Sequence, residues 1–74
     1  MNGIVIGHRL KALREEKGVS IYEVADYCGI SAAAICMYEN GKSIPKDSIK
    51  MKLAKYYKKT VGAIFYPPFL LSLR

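Results

Sequence analysis

The chain has 74 residues, and its 12 lysine or arginine residues outnumber its 6 aspartate or glutamate residues, so its formal net charge is +6. This length suits one small domain near the lower size limit for independent folding. The positive charge favours polyanionic partners such as nucleic acid or an anionic membrane surface, and the longest apolar runs, AAAICM and FLL, are too short to span a bilayer.

The first predicted helix rests on apolar residues that recur at helical spacing. Ile6, Leu10 and Leu13 lie three or four residues apart with charged residues between them, and Gly18 supplies a stop. This pattern predicts a helix over residues 6–17. The preceding MNGIVI favours a short strand or an arm.

The second predicted helix has a clear N-terminal signal. Ser20 is a favourable N-cap, and Glu23 follows three residues later, as in a capping box. Val24 and Ala25 continue an apolar stripe until Gly29 breaks it. We predict a helix over residues 20–28.

The third predicted helix covers residues 31–39. Ser31 can cap its start, and Ile35 and Tyr38 fall on one face. Asn40-Gly41 marks the end, because glycine tolerates the left-handed conformation that often follows a helix.

Two further helices are predicted after the loop KSIPK. Asp47 or Ser48 is expected to cap the fourth, and its lysines are expected to face solvent. The apolar seam of this helix comprises Ile49, Leu53, Ala54 and Tyr57. A short fifth helix over residues 61–65 ends before Pro67-Pro68, because proline cannot continue the backbone hydrogen bonds. The order of elements predicts an all-α fold of five short helices.

The C-terminal residues are strongly apolar. We assign residues 1–66 to the domain and residues 67–74 to a tail. Several apolar residues near this end would form an exposed patch on a monomer, and we expect a dimer contact from Phe65, Phe69, Leu70, Leu71 and Leu73. The alternative is that the tail folds back over the first and fifth helices of its own chain.

The cysteines do not indicate a metal site or a disulfide framework. Cys28 and Cys36 lie eight residues apart, and His8 is the single histidine. This spacing does not match structural zinc sites, and small disulfide-rich domains need roughly four or more cysteines and a signal peptide. We expect reduced thiols, no metal or other cofactor, and a cytoplasmic location.

A family pattern runs through GHRLKALREEKGVSIYEVADYCGISAAAICMYENGKSIP, residues 7–45. Gly29-Ile30-Ser31 stands at the turn, Tyr38-Glu39-Asn40-Gly41-Lys42 follows the third helix, and Leu53-Ala54-Lys55 falls in the fourth. With these residues, the chain resembles the phage repressor and Cro family of helix-turn-helix proteins, often called the XRE family, over residues 6–65. The resemblance implies a lambda-repressor-like DNA-binding domain with its helix-turn-helix at the second and third helices.

The resemblance also implies the positions of the DNA contacts, with the third helix in the major groove. Its base-facing residues would be Ala32, Ala33, Cys36 and Met37. None carries the guanidinium or amide that pairs with guanine or adenine, so base recognition would depend on thymine methyl groups and DNA shape. The residues implied to contact phosphates are Ser20, Ile21, Ser31, Asn40, Lys42, Ser43 and Lys46.

Two more residue roles follow from the resemblance. Arg14 and Glu39 are implied to form an ion pair between the first and third helices. Ile21 stands where the family commonly has a glutamine that contacts a phosphate. An isoleucine side chain cannot make that hydrogen bond, so position 21 would offer its backbone amide instead.

The function implied is transcriptional regulation by repression, in which a bound dimer blocks polymerase. We expect a homodimer that binds double-stranded DNA sequence-specifically, with no membrane and no small-molecule effector. Two alternatives stay open: a protein-interaction module that kept the fold and lost base recognition, and an antitoxin or restriction-modification controller. No grouping of nucleophile, general base and orienting partner indicates an enzyme.

Overall fold

The computed structural model describes residues 3–66, which form five α-helices. In chain order these are α1 (Gly3–Lys17), α2 (Ile21–Cys28), α3 (Ala32–Glu39), α4 (Asp47–Tyr56) and α5 (Val61–Phe65). No strand occurs within residues 3–66, and the predicted all-α, five-helix class is confirmed. No helix in this part of the chain combines the length and apolar character that a bilayer crossing requires.

Local capping explains the boundaries of α2 and α3. The Ser20 hydroxyl accepts from the Glu23 backbone N–H at 3.2 Å, and the Glu23 carboxylate accepts from the Ser20 N–H at 3.4 Å. The Ser31 hydroxyl accepts from the Ala34 N–H at 3.1 Å. Gly29 ends α2 with a left-handed φ of 71°. Both serines are thus N-caps directly before the helices that the sequence predicted.

The start of α1 corrects the expectation of a strand or arm at MNGIVI. Residues 3–6 are helical, and α1 begins at Gly3. Isoleucine and valine favour strands locally, but propensity is a weak prior that tertiary packing overrides. Here Ile6 is buried in the core. The first turn of α1 also packs closely on Gly41: a Cβ added to Gly41 would lie 2.9 Å from the Ile4 Cα.

The start of α4 is also different from the prediction. Lys46, not Asp47 or Ser48, is the N-cap, and it makes no side-chain capping hydrogen bond. Asp47 is the first helical residue, and its carboxylate lies 3.7 Å from the Lys50 Nζ. The negative charge of Asp47 still stabilises α4, because the first turn carries the positive end of the helix dipole.

The core lies between all five helices. Its most deeply buried side chains include Phe65, Val24, Ile6, Ile64 and Leu53. In the helix-turn-helix, Ala25 and Ile35 are buried and Ile30 packs against them from the turn. Their small and branched shapes let α2 and α3 cross closely, and α3 is thereby held on the body of the domain.

The closest helix contact lies between α1 and α3 at Gly7. A Cβ at this position would stand 2.5 Å from the Glu39 carbonyl oxygen and 2.7 Å from that of Tyr38. Both distances are shorter than van der Waals contact, so only glycine fits without moving the backbone. This contact fixes the C-terminal end of α3 against α1.

Candidate nucleic-acid interface

One side of α3 holds the helix in the fold and the other is exposed. Ile35 and Glu39 are buried, while Ala33, Cys36 and Met37 are exposed. Asn40, directly after the helix, is exposed as well. At about 100° per residue these four positions span an arc of roughly 100°. We call them the outer face of α3.

Ala32 is the base-facing candidate that the structure places differently. It is partly buried and packs against the core, because at the start of α3 it lies at the edge of the outer face. Ala33, Cys36 and Met37 lie together on that face, and Met37 is 45% exposed.

Asn40 is the residue of the outer face that carries an amide side chain. Its Nδ2 donates to the Cys36 Sγ at 3.4 Å, one helical turn earlier. Sulfur is a weak acceptor, so this bond orients the amide without holding it firmly. The sequence predicts a phosphate contact for Asn40. The contact with Cys36 was not predicted, although a spacing of four residues on one helix could have indicated it.

The candidate phosphate-binding residues surround α3. Lys42 and Lys46 are exposed, and Ser43 is partly buried. The hydroxyls of Ser20 and Ser31 accept capping hydrogen bonds, and each retains its O–H as a donor. Ile21 is partly buried and packs against the core. Its side chain therefore faces away from a phosphate. Its backbone N–H, one of the unpaired amides in the first turn of α2, is the group that it can offer.

Arg14 and Glu39 link α1 to the last residue of α3. The Arg14 Nε and Nη2 donate to the two Glu39 carboxylate oxygens at 2.8 and 3.1 Å, and Nη1 donates to the Val19 carbonyl at 3.1 Å. The hydrogen bond to Glu39 raises the pKa of Arg14. Because both side chains are largely buried, this two-pronged pair fixes the direction of α3.

The model of the Helix-turn-helix family matches residues 10–64, most of the described chain. The chain belongs to this helix-turn-helix family. The resemblance to repressors of the XRE type, stated from the sequence, is confirmed, and α2 and α3 are the two helices of the motif.

The helix-turn-helix chain is similar to two curated bacterial proteins. It is 41% identical over 61 residues to the HTH-type transcriptional repressor RghR of Bacillus subtilis, covering 81% of this chain and 45% of RghR. It is 32% identical over 66 residues to the HTH-type transcriptional regulator PuuR of Escherichia coli, covering 89% of this chain and 36% of PuuR. The chain thus spans less than half the length of either relative. No solved structure matches it significantly.

Proposed function

We propose that this helix-turn-helix chain binds double-stranded DNA through α3 and represses transcription as a homodimer. The observation that carries the proposal is the outer face of α3, which no other residue of the 3–66 region covers, next to exposed Lys42 and Lys46. The net charge of +6 supports a polyanionic partner. The regulatory names of the two relatives support the same role.

In this proposal, α3 enters the major groove with its small and apolar side chains toward the bases. Ala33 and Met37 can contact thymine methyl groups, which the major groove exposes. Short side chains also let the helix approach the bases closely. Specificity then comes from methyl contacts and from DNA shape, because the outer face offers few hydrogen bonds to base edges.

The proposed phosphate contacts position the helix rather than select the sequence. Lys42 and Lys46 both lie in the loop between α3 and α4, and the N-terminal turns of α2 and α4 supply backbone amides. Two copies would act together, since one module with an eight-residue recognition helix buries little surface on DNA. The tail residues Phe69, Leu70, Leu71 and Leu73, for which we propose the dimer contact, lie outside the described residues. Phe65, predicted to share that contact, is fully buried in the core and cannot reach a partner subunit.

The test is binding of the full chain to a labelled duplex from the region upstream of its own gene, measured by fluorescence anisotropy at low salt. Lys42→Ala and Lys46→Ala should each weaken binding to every duplex and reduce the slope of log K against log salt by about 1. Lys11→Ala removes an exposed charge from α1 and serves as the matched control, with no change expected.

The outcomes separate the classes of function. A wild-type chain that forms no complex with any duplex at low salt would rule out DNA binding. Equal salt slopes for Lys42→Ala and for the control would favour a protein-interaction module. Repression itself is tested with a reporter gene behind the bound region, whose expression should fall when the chain is produced.

A further inference from the structure

A groove with an apolar floor and a basic rim lies between the C-terminal half of α1 and the segment that joins α4 to α5. It consists of two adjoining cavities of about 280 and 260 Å³ that share Leu13 and Lys59. Leu13 and Ala63 supply the accessible apolar surface of its floor, and the buried Ile64 lies beneath them. The charged residues of the rim are Arg9, Glu16, Lys17, Lys58 and Lys59. We call this feature the basic groove.

The basic groove lies away from the proposed DNA-binding surface. On α1, Gly7 and Arg14 face α3, whereas Arg9, Leu13 and Lys17 form a stripe whose centre lies roughly 110° from them around the helix axis. The groove lies at the C-terminal end of α4, and Lys46 precedes its N-terminal end. The ten residues of α4 separate the two by about 15 Å. Both surfaces can therefore be occupied at once.

The positive charge of the groove is poorly compensated. Lys58 and Lys59 are exposed, and neither forms an ion pair within residues 3–66. The other two cations are held in place: the Arg9 guanidinium donates to the Ala63 carbonyl, and the Lys17 Nζ lies 5.0 Å from the centre of the Tyr56 ring. Four cations thus surround an apolar floor with Glu16 as the carboxylate of the rim.

The backbone at Lys58 forms the left-handed turn that ends α4, which the hydrogen bond from the Lys59 N–H to the Ala54 carbonyl closes at 2.9 Å. Lys58 has a φ of 56°, in the left-handed region, and follows the C-cap residue Tyr57. Glycine is the residue that this position of a helix end usually favours, and a side chain there is strained. A lysine here adds charge to the groove at a cost in stability.

We propose that the basic groove docks an acidic peptide segment of a partner protein. A leucine-like side chain of the partner would lie on Leu13 and Ala63, and flanking carboxylates would contact Lys58 and Lys59. The charges of the rim are complementary to such a segment. The cavities are too small for a duplex. Tyr57, the aromatic residue of their lining, is buried, so the groove does not present the exposed aromatic rings on which single-stranded nucleic acid stacks. This site does not depend on DNA binding by α3.

The direct test is fluorescence anisotropy of a fluorescein-labelled peptide in which a leucine pair is flanked by glutamates, titrated with the full chain. Binding should weaken about tenfold for Lys58→Ala/Lys59→Ala, since each exposed ion pair contributes a few-fold. Raising the salt concentration should weaken it as well. The control Lys11→Ala/Lys55→Ala removes the same charge from exposed positions that do not line the groove, and should bind like the wild type.

A second variant separates charge from folding. Lys58→Gly removes the cation and relieves the left-handed backbone, so its Tm should rise by about 4 °C while its affinity for the peptide falls several-fold. A loss of binding in a more stable protein cannot arise from unfolding. Unchanged affinity in this variant would overturn the role of Lys58 and count against the site.

Two peptide controls test the chemistry of the partner. Replacing the leucine pair by serines should weaken binding about tenfold, because the apolar floor then loses its contact. Equal binding of that peptide would overturn the proposal and leave a non-specific attraction for polyanions. Wild-type binding by Lys58→Ala/Lys59→Ala would show that the peptide binds elsewhere.

Duplex binding is measured on the same variants. Lys58→Ala/Lys59→Ala should retain wild-type affinity for DNA, and a parallel loss of DNA affinity would overturn the separation of the two surfaces. A wild-type chain that binds the peptide but no duplex would reject the proposed repressor function alone. The reverse result would reject the peptide site alone.

Discussion

At the scale of single residues, the pair of Arg14 and Glu39 shows how a buried charge specifies orientation. Glu39 is the last residue of α3 and is 7% exposed, so its carboxylate has left water almost completely. Such pairs add little net stability, because desolvation offsets much of the attraction. Their geometry nevertheless allows one direction of approach. Here it holds α3 at a set angle to α1, which determines where the outer face of α3 points.

Removing one charge of this pair should be costly. Glu39→Gln preserves the shape but leaves the Arg14 guanidinium without a counter-ion, and we expect the free energy of unfolding to fall by ~2 kcal/mol in urea titrations, less than for a fully buried pair because Arg14 keeps some contact with water. Arg14→Met/Glu39→Met should cost less than the sum of the single changes. Strict additivity would mean that the two side chains do not interact.

Tyr57 gives a prediction for alkaline pH. Burial raises the pKa of its hydroxyl far above the usual value, and the Glu39 carboxylate adds to the shift. A raised folded-state pKa contributes stability in full below the unfolded value of about 10, and this contribution is lost as the pH rises from there toward the folded-state pKa. The free energy of unfolding should therefore fall above pH ~10, by up to ~1.4 kcal/mol per pH unit from this group.

The Tyr57 contribution is isolated by comparing variants in urea titrations at several alkaline pH values. Tyr57→Phe cannot ionise, so its stability should decline less steeply than that of the wild type. Tyr22, which is 71% exposed, supplies the matched control as Tyr22→Phe. Parallel curves for the wild type and Tyr57→Phe would contradict the prediction.

At the scale of elements, glycines in two helices have opposite roles. Gly7 lies where α1 meets the carbonyl groups at the end of α3, while a Cβ at Gly62 in α5 would have the Thr60 hydroxyl at 4.0 Å as its nearest neighbour. Gly7→Ala should lower the free energy of unfolding by about 2 kcal/mol, because the two helices must separate. Gly62→Ala should raise it by about 0.5 kcal/mol through helix propensity.

Thermal and urea unfolding of both variants checks this contrast. If Gly7→Ala were as stable as the wild type, the close approach of α1 to α3 would be wrong. DNA binding by Gly7→Ala should weaken more than its stability loss explains, since α3 would change its angle. Gly62→Ala should keep the affinity of the wild type.

The elements that the sequence predicted well are those with local signals. Ser20, Glu23 and Gly29 specify α2 through contacts within a few residues, so the sequence was sufficient. The start of α1 was not predictable, because residues 3–6 look strand-like and become helical through packing on Gly41. Lys46 is the N-cap of α4 but makes no side-chain hydrogen bond to the helix, so the residue type at this position does not indicate a cap.

The candidate site was less accessible from sequence. The buried and exposed sides of α3 followed from its period, but the partial burial of Ala32 depends on how closely α2 crosses. Lys50 is buried although lysine is usually exposed, since its Nζ lies 5.6 Å from the centre of the Phe65 ring and 5.7 Å from that of Tyr66. The basic groove joins residues about 45 positions apart along the chain, and no local pattern brings them together.

At the scale of the whole molecule, the proposed homodimer makes a geometric prediction. Two recognition helices related by a twofold axis contact half-sites about 34 Å apart, close to 10 base pairs. A duplex with two half-sites at this spacing should bind at least about tenfold more tightly than a duplex with one. Inserting about 5 base pairs between the half-sites places them on opposite sides of the duplex and should remove the gain.

This prediction is checked by anisotropy on duplexes recovered by selection from a random pool. Sedimentation of the full chain and of a chain truncated after Tyr66 tests the tail: the truncated chain should be monomeric and should respond equally to both spacings. An unchanged dimer after truncation would exclude residues 67–74 as the main contact.

The division of α3 into a buried and an outer side affects how paralogues of this chain could diverge in the DNA that they bind. Ala33, Cys36 and Met37 contribute nothing to the core, so mutation can exchange them with little effect on melting temperature. Paralogues that share this scaffold within one cell could therefore acquire separate sets of target genes through two or three codon changes. Such paralogues would keep similar core residues, while the genes that they regulate would diverge.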